Sequence, residues 1–177
     1  STFTAMGGGT DWNWGIWATA GVYDSVRFSA NSLLTAAEFD AISKAGATPQ
    51  TLTGSGTAAA VITHGGVTEL VQGGCNLSVQ VGAGVNPTWD GAIGTAAAPL
   101  SDASGNNLYF NAMGSIQSGG QLTGNQTAYS MTVHGTAFDR ASISSESING
   151  NLVGVGAISG AVGDFNFNHG GAATVRG

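Results

Sequence analysis

The chain has 177 residues, of which only 8% are charged, with four Lys+Arg against ten Asp+Glu, and 30 are Gly; a typical globular domain carries about 25% charged residues and about 7% Gly. A formal charge of −6 with only Arg27, Lys44, Arg140 and Arg176 as strong bases argues against nucleic acid, whose binders need clustered cations. The single Cys75 excludes an intrachain disulfide and a multi-thiolate metal centre, and no apolar run reaches the ~18 residues of a transmembrane helix.

The period is two from the start. In Asp11-Trp12-Asn13-Trp14-Gly15-Ile16-Trp17-Ala18, alternation puts Trp12, Trp14, Ile16 and Ala18 on one strand face and Trp17 opposite. Val26, Phe28 and Ala30 repeat it after a turn at Tyr23-Asp24-Ser25. One helix interrupts. Thr35-Ala36-Ala37-Glu38 has the form of a capping box, Ala37, Phe39, Ala41 and Ile42 supply an apolar side, Lys44 suits the negative end of the dipole, and Gly46 offers a left-handed stop. This spacing predicts a helix over 36–45 that closes one end of a sheet or barrel.

After Pro49 the pattern returns to strands, predicted over 51–63, 75–83, 88–94, 108–116, 127–135, 141–148, 152–158, 162–168 and 172–176. Turn chemistry separates them at Gly65-Gly66, Asn86-Pro87, Ser104-Gly105-Asn106, Gly119-Gly120 and Gly124-Asn125. Asn149-Gly150 reads as the strongest hairpin signal, because a type I′ turn wants positive φ at both central residues.

Short strands joined by polar turns predict an all-β fold in which residues 1–177 form one domain. The expected form is an antiparallel meander closed as a small barrel of about 8–10 strands, with residues 1–10 as a candidate extending strand; a β-sandwich is the alternative. An open meander would leave long edges with few Lys residues to guard them. Either the barrel closes, or another chain occupies an edge.

Asn13-Trp14-Gly15-Ile16-Trp17, the stretch 128–135, Phe138 with Ala141-Ser142-Ile143, Ile148-Asn149-Gly150-Asn151-Leu152-Val153-Gly154, and Gly163-Asp164-Phe165-Asn166-Phe167 with 172–177 carry a resemblance. The C-terminal two-thirds of the chain resembles the small β-barrel found at the end of long bacterial secreted FecR-domain proteins, itself similar to the lipocalin-like barrels of transferrin-binding-protein-like lipoproteins. It departs from that pattern in the strongly written helix and in lacking a FecR domain before the barrel. The resemblance implies an exported, non-enzymatic barrel used for binding or assembly and identifies no ligand.

No catalytic motif stands out. Gly54-Ser55-Gly56 falls in a strand-like run instead of a nucleophile elbow, and Asp90, Asp139, Glu146 and Asp164 offer paired carboxylates only if the fold gathers them. His64, His134 and His169 are each followed by Gly but lack ligand spacing; His64 and His169 read as turn residues and His134 as a strand residue. A constellation of them would suit haem or a transition metal held between loops, but the expectation is no metal and no cofactor. The acidic loop Asp102-Ala103-Ser104-Gly105-Asn106-Asn107 has oxygen ligands for calcium but no EF-hand spacing, so it reads as a satisfied turn. Cys75 reads as a small buried residue, and Trp89 as packing where a strand begins.

Phe3, Trp12, Trp14 and Trp17 are the candidate ligand- or partner-binding residues, with core packing as the plainer reading of the tryptophans. The expected function is non-enzymatic: an extracellular or bacterial cell-surface structural subunit that forms a filament, layer or matrix through β-strand contacts, as a homo-oligomer or homopolymer. The alternative is a secreted barrel that binds a small hydrophobic ligand, haem or a host protein. A chain beginning at Ser1 without a basic and apolar leader reads as a mature or trimmed form.

Overall fold

The computed structural model describes residues 50–82, 85–154 and 158–177, with 2–3, 14–15 and 37 before them. Strands dominate: β1 (Thr2–Phe3), β2 (Trp14–Gly15), β3 (Gln50–His64), β4 (Val67–Val81), β5 (Thr88–Ile93), β6 (Leu100–Ser101), β7 (Asn107–Gln117), β8 (Gln121–Val133), β9 (Thr136–Asp139), β10 (Ser145–Val153), β11 (Gly160–Asn168) and β12 (Ala173–Arg176). A 3-10 turn at Arg140–Ser142 lies between β9 and β10.

Eight of these close into an antiparallel barrel in the order β4, β3, β12, β11, β10, β8, β7, β5 and back to β4. The closed ladder excludes the sandwich alternative. β6 continues the course of β5 between β4 and β7 after a looped interruption, while β9 pairs with β8 outside the barrel circuit.

Alternation decides which side chains go inside. Opposed residues of a ladder share a face, so Ala60↔Val71, Val79↔Trp89, Leu108↔Met131 and Phe167↔Val175 all point inward and are buried. The aromatic centre is a group of edge-to-face rings: Phe110 lies 4.8 Å from Phe165 and 4.9 Å from Phe167, and Tyr129 lies 4.9 Å from Phe167. Such pairs add about 0.5–1.5 kcal/mol each beyond the area they bury.

Above the aromatics, the wall is nearly bare on its inner side, with Gly56 opposite Cys75, Gly91 opposite Ala112, Gly114 opposite Gly124 and Gly150 opposite Gly163. Trp89 fills part of the space so made. Its ring passes over Gly124, where a Cβ would lie 2.6 Å from Cζ2, and its Nε1–H donates to the Thr123 carbonyl at 3.0 Å.

Several local expectations are corrected. Asn149-Gly150 is no turn: both lie inside β10, Asn149 opposite Asp164 and Gly150 opposite Gly163, and the missing side chain matters because a Cβ there would meet the Val162 carbonyl at 2.6 Å. Gly124-Asn125 likewise lies inside β8. β4 begins at Val67, so the strand predicted over 75–83 is only its second half. The predicted 141–148 strand starts as the 3-10 turn, and Leu152 and Val153, placed in a separate strand over 152–158, end β10. Gly65 and Gly66 do form the β3–β4 turn, with φ of 59° and 78°. The predicted helix over 36–45 lies outside the described residues except for Ala37, which is helical, and the strand over 26–30 lies outside them altogether.

Candidate functional site

Among the described residues, one wall of the barrel is incomplete. β12 has four residues where β3 has fifteen. It pairs with β3 only over Val61↔Arg176 to His64↔Ala173 and with β11 only from Asn166 onward, extended by reciprocal hydrogen bonds of Phe165 with Gly177 at 2.8 and 3.0 Å. Beyond that point, residues 51–55 of β3 are paired on their β4 side and residues 160–164 of β11 on their β10 side. Among the described residues, no ladder bridges these two edges.

The opening holds a cavity of about 580 Å³ lined by Leu52, Leu77, Val79, Leu152 and Ile158 beneath a rim of Thr51, Thr53, Ser55 and Ser159. Its floor is apolar and its rim neutral and hydroxylic. Deeper, a smaller cavity of about 110 Å³ lies among Gly56, Cys75, Gly91, Ala112 and Gly163, in the space the glycine-rich wall leaves; Leu77 lines both. Burial pushes the Cys75 thiol up to about 11, although a backbone contact with Gly56 acts the other way, so this cysteine behaves as a small apolar residue.

A five-residue edge at about 3.4 Å per residue is roughly 17 Å long. Two such edges facing one another can pair a strand inserted between them on both sides, and every second residue of that strand would point into the apolar floor.

The opposite end of the barrel gathers polar groups. His64 ends β3, while His134 sits in the β8–β9 turn at φ 49°, correcting its expected strand position. His64 lies 6.0 Å from His134 and 5.7 Å from Phe138, and Phe138 lies 5.0 Å from His169, measured between ring centres. Topology thus brings three histidines together that sequence spacing left apart; the Gly after each was the only sequence signal. Among the described residues, no group of three His, Cys, Asp or Glu side chains is arranged to hold a metal ion.

His134 Nε2 meets Glu69 Oε1 at 2.8 Å, and its backbone N–H donates to Asn106 Oδ1 at 2.9 Å. Asn106 in turn donates to Asp102 Oδ2 at 2.6 Å. Burial alone would raise the Asp102 carboxyl, but the Asn106 side chain and the backbone N–H groups of 104–106 outweigh it and hold the group below the ordinary carboxylate range. The carboxylate's acceptors are occupied by donors of its own loop.

His169 is buried at 4% exposure, with Nε2 2.8 Å from the Tyr129 hydroxyl and Nδ1 2.9 Å from Ser142 Oγ. Ser142 spends its single proton on the Asp139 carbonyl at 2.7 Å. The consistent assignment therefore has Tyr129 donating to Nε2 and Nδ1–H donating to Ser142. That polarity is the reverse of a base activating a serine, which must accept the hydroxyl proton. Burial holds the His169 ring below its ordinary pKa, against smaller opposing effects of Ser142 and the Asp139 charge, and pushes the Tyr129 phenol upward.

Of the residues singled out for binding, Phe3 and Trp14 pair across β1 and β2, and β1 lies in contact with β3. Trp12 and Trp17 lie outside the described residues. No helix among the described residues is long and apolar enough to cross a membrane, which leaves open crossing by strands. No family model, curated protein or solved structure matches the chain.

Proposed function

We propose that this chain is a non-enzymatic structural subunit of an extracellular or bacterial surface assembly, and that its barrel receives a β-strand from a neighbouring subunit in the opening between β3 and β11. The supporting observation is the pair of facing edges at 51–55 and 160–164 over an apolar floor. Main-chain hydrogen bonds would supply the affinity and the alternate side chains the specificity. The low charge of the chain suits such close contact between identical molecules.

The test is the assembly state of the purified protein by negative-stain electron microscopy and light scattering, beside a Thr53→Lys, Ser55→Lys variant. Both positions are exposed, and edge lysines oppose strand addition. The parent should form regular fibres or sheets and the folded variant remain monomeric. A monomeric parent, or a variant that polymerises equally, would reject the reading.

The small apolar cavity beside Cys75 favours a second reading, a module for a slender apolar ligand. At about 110 Å³ it is somewhat smaller than the ~150 Å³ apolar cavity that admits benzene. Saturable binding of 1-butanol that protects Cys75 from alkylation would favour this reading, and the absence of both effects would oppose it.

A further inference from the structure

We infer that the strand received in the opening is β1 of a second copy of this chain, so that subunits join by exchanging β1. This rests on the strand-acceptor reading above and names its partner.

Three observations single out β1. It lies in contact with β3, the strand that supplies one of the two edges. Its surrounding sequence, Ser1-Thr2-Phe3-Thr4-Ala5-Met6-Gly7-Gly8-Gly9-Thr10, contains no charged residue, matching a rim of threonine and serine over an uncharged floor. In extended form it alternates Thr2 and Thr4 with Phe3 and Ala5, the two-faced pattern that a strand with one side on an apolar floor and the other toward solvent requires.

Residues 4–49 join β1 to β3. That length allows β1 to reach its own barrel or the next one, since an extended chain spans about 3.3 Å per residue. Exchange of an identical element reuses the same contacts between molecules. Each barrel gives one strand and accepts one, so the contact is head-to-tail and adds subunits without limit unless its rotation closes a ring.

Disulfide trapping between differently marked chains tests this. In a Cys75→Ala background, one full-length chain carries Thr2→Cys. Separate chains carry Thr51→Cys, Thr53→Cys or Ser55→Cys, which together cover the alternative registers, and a control carries Met113→Cys on the exposed outer face of β7. After mixing and mild oxidation, the Thr2→Cys chain should form a two-chain adduct with at least one β3 variant at ten-fold or more the yield seen with the control. Polymers that form while every β3 adduct stays at the control level would overturn β1 as the donor and leave the acceptor reading standing. Absence of both polymers and adducts would overturn the two together.

Discussion

Gly124→Ala adds one methyl group where the barrel wall has no room for it. The new Cβ would lie 2.6 Å from Trp89 Cζ2 and 2.8 Å from the Met113 carbonyl carbon, and would press on the Met113 oxygen. The Met113 atoms are backbone held in the β7–β8 ladder. Trp89 can yield only by weakening its hydrogen bond to Thr123, 3.0 Å long. Overpacking of this kind costs about 1–3 kcal/mol, and loss of the indole bond adds about 1 kcal/mol. Replacing Gly by Ala in a strand returns about 0.5–1 kcal/mol of backbone entropy, which leaves a net destabilisation of about 2 kcal/mol. Urea unfolding followed by far-ultraviolet circular dichroism reads this directly. A Trp89→Leu background should reduce the penalty by about 1 kcal/mol, the part assigned to the ring. A Gly124→Ala protein within 0.5 kcal/mol of the parent, or one whose penalty simply adds to that of Trp89→Leu, would refute this packing account.

Phe167→Ala empties the centre of the aromatic group, where Phe167 is fully buried against Phe110 and Tyr129, and should cost about 3–5 kcal/mol in urea unfolding; Met113→Ala, at 56% exposure, should change stability by less than about 0.5 kcal/mol. Because the His169 pKa is depressed by burial, the unfolded chain takes up a proton below its ordinary value of about 6.5 that the folded chain refuses. The stabilisation is therefore complete above about pH 6.5 and declines on acidification toward the lower folded pKa; comparing urea midpoints at pH 7.5 and 5.5 for the parent and His169→Gln should show a smaller loss in the variant. Cys75, raised from 9.0 to about 11, should react with iodoacetamide roughly 100-fold more slowly at pH 8 in the native protein than in urea, because the thiolate is the nucleophile; equal rates would mean the thiol is not buried.

Much of the fold is legible in the residues. Alternation located most of the strands after Pro49, and the shortage of edge lysines pointed to closure or to occupation by another chain. The unequal strands were visible too: a long apolar and Thr-rich run at 51–63 beside a short one at 172–176 becomes β3 beside β12, and that mismatch makes the opening. Asn149-Gly150 failed because a hairpin rule reads glycine for its φ, whereas Gly150 is needed for close approach of β10 to β11. The histidine-bearing end could not be read, since His64, His134 and His169 meet only through the order in which the strands close. Trp89 gave an aromatic at a strand start, but nothing in its own segment showed the glycine pair it covers.

The barrel has a second seam, and its treatment differs from the first. The β8–β10 ladder ends at Gly124↔Ile148, and β9 takes up β8 only from Ser130. Between these points β8 is itself irregular, because its ladder with β7 on the other side shifts register between Asn111↔Ala128 and Ala112↔Gln126, leaving Thr127 as the extra residue. There the Arg140 guanidinium donates to the Thr127 carbonyl at 3.3 Å, and the 3-10 turn, capped by Asp139, follows directly. Charge, irregular pairing and a covering turn are the means by which proteins prevent strand addition. Residues 51–55, Thr-Leu-Thr-Gly-Ser, contain no charge and no proline, and their register with β4 is unbroken. Among the described residues one seam carries these guards and the 51–55 edge carries none, which is the pattern expected if strand addition is directed to a single place. If subunits join in a line through the first seam, as proposed, Arg140→Ala should expose a second edge and add lateral association, seen as excess light scattering and bundled particles by electron microscopy. Unchanged linear assemblies would show that the guanidinium does not guard this seam.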